Sequence, residues 1–112
     1  VQVNESAPIK VSDYDLCRVL TNIIDNAINA VENSSISKDI ELNIVSNTND
    51  ILIKSKNAFA LNKSKKKDTE NHGYGQKIIS DIAKKYNGTY TTKAENEHFS
   101  TVTQLNNIDL NE

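Results

Sequence analysis

With one cysteine in 112 residues, Cys17, the chain cannot close a disulfide on itself, and this usage fits a reducing compartment. It lacks any apolar run approaching the roughly 20 residues of a membrane-spanning helix, and no signal-peptide pattern opens it. It also lacks an excess of either charge. Thirteen Lys and Arg stand against 15 Asp and Glu, a formal net of −2 with a pI near 5.7. Nucleic acids and anionic membranes attract basic surfaces, so no nucleic-acid partner and no direct membrane contact are expected. His72, His98 and Cys17 have no metal-ligand spacing, and no nucleophile elbow or paired-carboxylate pattern stands out. The length bounds the chain to one domain, residues 1–112, and 37% hydrophobic residues can fill one lean core. A soluble cytoplasmic chain, or the cytosolic part of something larger, is the expectation.

What is present is periodicity. Val1-Gln2-Val3-Asn4 alternates like a strand stump. Ser12, followed three residues later by Asp15, is close to a capping box. Apolar residues then recur at Leu16, Val19, Leu20, Ile23, Ile24, Ala27, Ile28 and Val31, which predicts a long amphipathic helix ending near 32–35. Ile40–Val45 and Ile51–Lys54 alternate around the turn residues Asn47-Thr48-Asn49-Asp50 and predict an antiparallel hairpin. A polar stretch from Asn57 to His72 holds Lys63 and Lys65-Lys66-Lys67, and so long a connection is functional or disordered. His72-Gly73-Tyr74-Gly75 is read as opening a second helix with Ile78, Ile79, Ile82, Ala83 and Tyr86, stopped by Asn87-Gly88 as left-handed cap residues. Strands follow around Thr89–Thr92 and Phe99–Leu105, and the polar tail 106–112 is expected to fray. Helices interleaved with hairpins predict an α+β two-layer sandwich, a mixed sheet with both helices on one face.

Four features could carry chemistry. Asn22 and Asn26 are four apart and share one flank of the first helix, with Asp25 on the far side. Amide oxygens there suit a hard cation such as Mg²⁺, although two asparagines on a helix surface need no ligand at all. Gly73 and Gly75 let backbone approach a phosphate at a helix start, or simply make a flexible turn. The lysines of 63–67 are either mobile partners for a polyphosphate or a solvated loop. Asn57 either meets a base edge or begins a turn, and Cys17, near the apolar stripe, is read as packing.

In combination these segments resemble a known family. Residues Asp15 to Ala30, with Asn22 and Asn26, are similar to the N box of the GHKL ATP-binding proteins, which include the sensor histidine kinases. Gly73-Tyr74-Gly75-Gln76-Lys77-Ile78-Ile79 resembles the second glycine box, and Asn87-Gly88 with the Thr101 strand fits the closing hairpin. The resemblance spans nearly the whole chain in the right order. It implies the GHKL sandwich, ATP and Mg²⁺ as ligands, and a lid at about 58–72. Asn22 would be the catalytic position, Asn26 would hold the metal, and Asn57 would read the adenine amino group. Asn29, His72, Gly73, Tyr74, Gly75, Gln76 and Thr101 would complete the nucleotide site. Hydrolytic members carry Glu at the place of Asn22, so phosphoryl transfer to a protein histidine is implied rather than hydrolysis. The Asp15-Leu16-Cys17 lead-in and the Asn26–Ala30 ending look most like the Agr-type, peptide-sensing subfamily. Three departures stand out. The first glycine box is Asn57-Ala58-Phe59-Ala60-Leu61, without glycine; Gln76 replaces a leucine; and Asn29 replaces a basic residue. The implied partners are ATP, an upstream histidine-containing dimerisation domain and a response regulator. With no acceptor histidine of that kind, the chain would be a fragment of a larger kinase. Two alternatives are a GHKL-like docking module with a degraded ATP site, and another GHKL kinase such as an anti-sigma serine kinase.

Overall fold

Ser12 starts the first helix. Its Oγ accepts the Asp15 N–H at 3.1 Å and its carbonyl accepts the Leu16 N–H at 3.0 Å, which satisfies donors that a helix start leaves open. The resulting α1 runs Asp13–Glu32. The computed structural model describes residues 1–32, 38–58 and 66–110, with the backbone alone for 66–74. Of the helix end expected near 32–35, Glu32 is the last described residue of α1, and 33–35 lie outside the described residues.

The predicted hairpin forms as β2 (Ile40–Ser46) and β3 (Asp50–Ala58). Asn47 shapes its turn, accepting the N–H groups of Asn49 at 2.9 Å and Asp50 at 2.8 Å on Oδ1. The second hairpin is β4 (Thr89–Glu95) and β5 (His98–Asn106). Asn96 and Glu97 join them with φ of 52° and 62°, the two-residue turn whose twist matches paired strands. The stump at the start is β1 (Gln2–Glu5), parallel to β2. The sheet order is β1-β2-β3-β5-β4, antiparallel except for β1.

Register sorts the inner face of the sheet into rows. Ser46, Ile51 and Leu105 form one row, and Ile44, Ile53, Thr103 and Tyr90 the next. Beyond these come Leu42, Ser55, Thr101 and Thr92, then Ile40, Asn57, Phe99 and Ala94. One end of the face is mainly apolar, and the other carries the polar groups. α1 lies over β2 and β3; α2 (Lys66–Lys85) lies over β4 and β5 and against α1. Val19, Ile23, Ile79, Ile82, Ala83 and Tyr86 meet Ile51, Ile53 and Leu105 in one core. Burying such side chains contributes roughly 25 cal/mol per Å² of apolar surface.

Three expectations are corrected. First, α2 begins at Lys66, not at His72-Gly73. Lys66, Lys67 and Glu70 favour helix, and Asp68 and Glu70 suit the positive end of its dipole. The expected lid of 58–72 thus has Ala58 at the end of β3 and 66–72 in helix; its middle, 59–65 with Lys63 and Lys65, lies outside the described residues. Second, the cap of α2 divides its work differently. Asn87 alone is left-handed, with φ 57°. Its N–H bonds Lys84 O at 3.0 Å, and Gly88 N–H bonds Ala83 O at 2.7 Å, the paired bonds of a Schellman end. Third, the tail does not fray from residue 106. Asn106 belongs to β5, and Asn107 is 3% exposed.

Asn107 shows why. Its Oδ1 accepts the Lys10 N–H at 2.7 Å, and its Nδ2 donates to Pro8 O at 2.8 Å and Asn47 O at 2.9 Å. Its own N–H reaches Asn49 O at 2.9 Å. One amide ties the approach to α1, the first hairpin turn and the end of β5. Asn107→Ala takes the partner from each of these part-buried groups, at about 1–3 kcal/mol for each one that water cannot reach. The expected loss is about 2–3 kcal/mol, read as a thermal midpoint lowered by roughly 10 °C or more. An unchanged midpoint would show that the chain closes these contacts by other means.

Candidate functional site

The antiparallel helix pair brings Asn22 and Asn26 against Gly75. Both asparagines are half-buried on one flank of α1, whereas Asp25 and Asn29 are exposed. Asn22 Nδ2 donates to Arg18 O at 2.7 Å, which turns Oδ1 the other way, toward α2. A Cβ at Gly75 would stand 3.0 Å from Asn22 Oδ1 and 3.6 Å from Asn26 Oδ1. Two neutral amide oxygens therefore converge where α2 offers only hydrogen. Oxygen donors of this kind suit a hard divalent cation that keeps most of its water.

On the sheet, Asn57 is 3% exposed and gives an Nδ2 hydrogen to Ala58 O at 2.9 Å. That leaves Oδ1 to accept. Two residues back on the same face, Ser55 Oγ and Thr101 Oγ1 are 2.7 Å apart and buried. One hydroxyl hydrogen joins the pair, so one donor remains for a ligand. Asn57 also lines a cleft of about 480 Å³ with Asp39, Ile40, Glu41, Lys56, Ala58 and His98. The polar end of the inner face thus offers an acceptor and a donor side by side.

With this geometry in place, comparison with known proteins is decisive at the family level. The GHKL domain family matches residues 11–106. The chain belongs to it. Among solved structures, the catalytic domain of the histidine kinase ThkA, in a nucleotide-free form, matches with a TM-score of 0.65 at 15% identity. The match covers 96% of this chain and 79% of that one, and it shows the same α+β fold. No curated protein matches the sequence.

Within this GHKL domain the other expected residues are spread unevenly. Gln76 is half-buried on α2, one residue past the buried Gly75. Gly73 and Gly75 lie in the helix interior, so their N–H groups belong to the helical ladder instead of standing free at a helix start. The side chains of His72 and Tyr74 lie outside the described residues. Cys17 is exposed, which corrects its reading as a packing residue. Among the described residues no three His, Cys, Asp or Glu side chains converge, and no helix is long and apolar enough to cross a membrane.

Sequence reasoning missed two groups. Ser55 continues the inward series Ile51, Ile53, Ser55, Asn57, and the turn from apolar to polar along it was the available signal. The other is a cluster where α1 begins and α2 ends. Asp15, 3% exposed, accepts the Tyr86 OH at 2.7 Å and Lys85 Nζ at 2.8 Å, both on Oδ2. Tyr86 OH in turn accepts the Ser12 N–H at 3.2 Å. No signal near Asp15 points to a residue 71 positions away.

Burial pushes the Asp15 carboxyl up, but hydrogen bonds from Lys85, Tyr86 and Ser12, with the Lys85 charge, outweigh it and hold the pKa below the ordinary value. The Lys85 ammonium is raised, chiefly by its hydrogen bond to Asp15, yet its side chain is 52% exposed, so water screens the pair. A lowered carboxylate contributes stability that is present above the unfolded-state pKa of about 3.9 and is lost as pH falls through the folded value. Asp15→Asn should therefore destabilise the domain at neutral pH, with the gap from wild type narrowing below about pH 4. Urea titrations at pH 7 and pH 3 test this, and a gap that stays constant would show that the Asp15 charge contributes nothing. Across the sheet, Tyr90 OH and Thr103 Oγ1 are buried without hydrogen-bond partners among the described residues, and burial pushes the Tyr90 phenol up to about 12.

Proposed function

We propose that this GHKL domain binds ATP with Mg²⁺ as the catalytic domain of a cytoplasmic sensor histidine kinase. The observation that carries the reading is the convergence of Asn22 Oδ1 and Asn26 Oδ1 on Gly75, a place that any side chain would fill. Asn26, with Asn22 beside it, holds the cation, which neutralises phosphate charge during transfer. The adenine amino group meets Asn57 Oδ1, and the spare hydroxyl hydrogen of the Ser55–Thr101 pair donates to a ring nitrogen. Asn29, His72, Gly73, Tyr74 and Gln76 are assigned to the surround of the phosphates.

Asn22 argues for transfer over hydrolysis. A carboxamide takes no proton from water near neutral pH, so it orients a neighbouring group and does not generate hydroxide. The acceptor is a histidine on an upstream dimerisation domain, and a response regulator receives the phosphoryl group next. The likeness of the Asp15-Leu16-Cys17 lead-in to the Agr-type subfamily supports that reading and disfavours an anti-sigma serine kinase.

One observation favours the docking-module reading. Gly73 and Gly75 sit inside α2, so their N–H groups are not offered to a phosphate. Isothermal titration with ATP separates the two. Saturable heat in Mg²⁺ that weakens in EDTA supports the kinase reading; no heat at millimolar Mg·ATP supports docking.

A further inference from the structure

We infer that Asp15 and Tyr86 are positioning residues, whose hydrogen bond sets the register of α1 on α2 and so holds Asn22 and Asn26 at Gly75. The apolar seam between the helices cannot do this alone. The helices bring Val19, Ile23, Ile79, Ile82 and Ala83 to the shared core, aliphatic side chains recurring every three or four residues. Burial of such surface is non-directional. Sliding one helix by a turn, about 5.4 Å, would exchange one aliphatic contact for another of similar worth.

The polar cluster is different because it has one solution. Asp15 Oδ2 takes the Tyr86 OH at 2.7 Å, and the same oxygen of Tyr86 takes the Ser12 N–H at 3.2 Å. A one-turn slip would cost the buried Asp15 carboxylate its Tyr86 donor, leaving it the half-exposed Lys85 ammonium alone, and would take the acceptor from the Ser12 N–H. Buried polar groups of this kind are the best-attested register devices in helix pairs.

Two points of contact then define the pair. Asp15 and Asn22 are seven residues apart on α1, about 10 Å, and Gly75 on α2 is 11 residues before Tyr86, which directly follows the last residue of that helix, about 16 Å. A displacement at the Tyr86 end is carried along two stiff helices to the Gly75 end. An error near 1 Å between positioned groups is enough to cost about a hundredfold in rate where chemistry depends on it.

The effect on nucleotide rests on the ATP reading above; the register itself does not. The experiment therefore begins without ligand. In the free domain, Tyr86→Phe should shift the nuclear magnetic resonance signals of the Gly75 amide and the Asn22 side-chain amide while the chain stays folded. Asp15→Ala, which removes the acceptor side of the same bond, is the second variant and carries the same expectation should Tyr86→Phe not fold. Ile51→Val, in the sheet beneath the helices and outside the hydrogen-bonded cluster, controls for lost stability and should leave both signals in place. With Mg·ATP, Tyr86→Phe should raise Kd about tenfold, and Ile51→Val less than twofold. Unmoved Gly75 and Asn22 signals in Tyr86→Phe, or equal movement in Ile51→Val, overturn the inference. A wild-type domain that binds no ATP overturns the kinase reading instead and leaves the register to the ligand-free spectra.

Discussion

Asn26→Ala should weaken Mg·ATP binding at least about tenfold, and the residual affinity should be the same in Mg²⁺ and in EDTA. The substitution removes Oδ1, one of two amide oxygens facing Gly75, and with it a hard ligand of the kind Mg²⁺ prefers. A tenfold change corresponds to about 1.4 kcal/mol, modest for the loss of a metal ligand. The fold has little reason to suffer. Asn26 is half-buried, its amide makes no hydrogen bond within the described residues, and alanine favours helix. Asn22→Ala is a less clean experiment, because Asn22 also bonds Arg18 O. Asn26→Asp should act in the opposite sense on the metal, placing a full charge beside it while repelling phosphates when the metal is absent. Its dependence on Mg²⁺ should steepen. Titration of each variant with ATP, with and without Mg²⁺, decides the matter, and an Asn26→Ala domain that binds like wild type removes this residue from the site.

Gly88→Ala should destabilise the domain by about 4 kcal/mol or more, a large share of the roughly 5–15 kcal/mol by which such domains are stable. Backbone strain is not the reason, since Gly88 has no positive φ. Space is. A Cβ there would lie 1.8 Å from Gln104 O, 2.7 Å from Gln104 C and 3.0 Å from Leu105 Cα. These atoms are main chain in a strand paired on both sides, so they cannot give way as a flexible side chain would. The neighbouring Asn87→Gly should be neutral or slightly stabilising, because position 87 carries the left-handed φ that glycine adopts freely. Thermal melts of the two variants should therefore diverge sharply. A Gly88→Ala protein melting within a few degrees of wild type would show that β4 and β5 separate more easily than their pairing implies.

The contrast between residues 87 and 88 shows how far the sequence could be read. Asn-Gly after an apolar period announces a helix stop, and the helix stops there. Which of the two supplies the turn and which supplies the clearance depends on β5, a strand 16 residues further on, and nothing local distinguishes them. The start of α2 failed for another reason. Lys66 to Glu70 contains good helix formers, but Gly73 and Gly75 each cost about 1 kcal/mol inside a helix, and they suggested a later beginning.

The sequence by itself determined the elements that rest on neighbours in the chain. The amphipathic face of α1, its Ser12 start, both hairpins and the shared flank of Asn22 and Asn26 follow from periods of 3.6 and 2 and from cap and turn chemistry, which act over a few residues. Its N box and glycine box were also enough to resemble the family to which it belongs. Only the tertiary structure decided the parallel placement of β1, the clearance at Gly88, the aim of two amide oxygens at Gly75, and the bonds of Asp15 and Asn107. Asp15 meets Tyr86 across 71 residues, and Asn107 meets Pro8 across 99. Such pairs are set by which surfaces the whole chain can bury together and by the need to satisfy every polar group it takes out of water, a condition no short stretch of sequence contains.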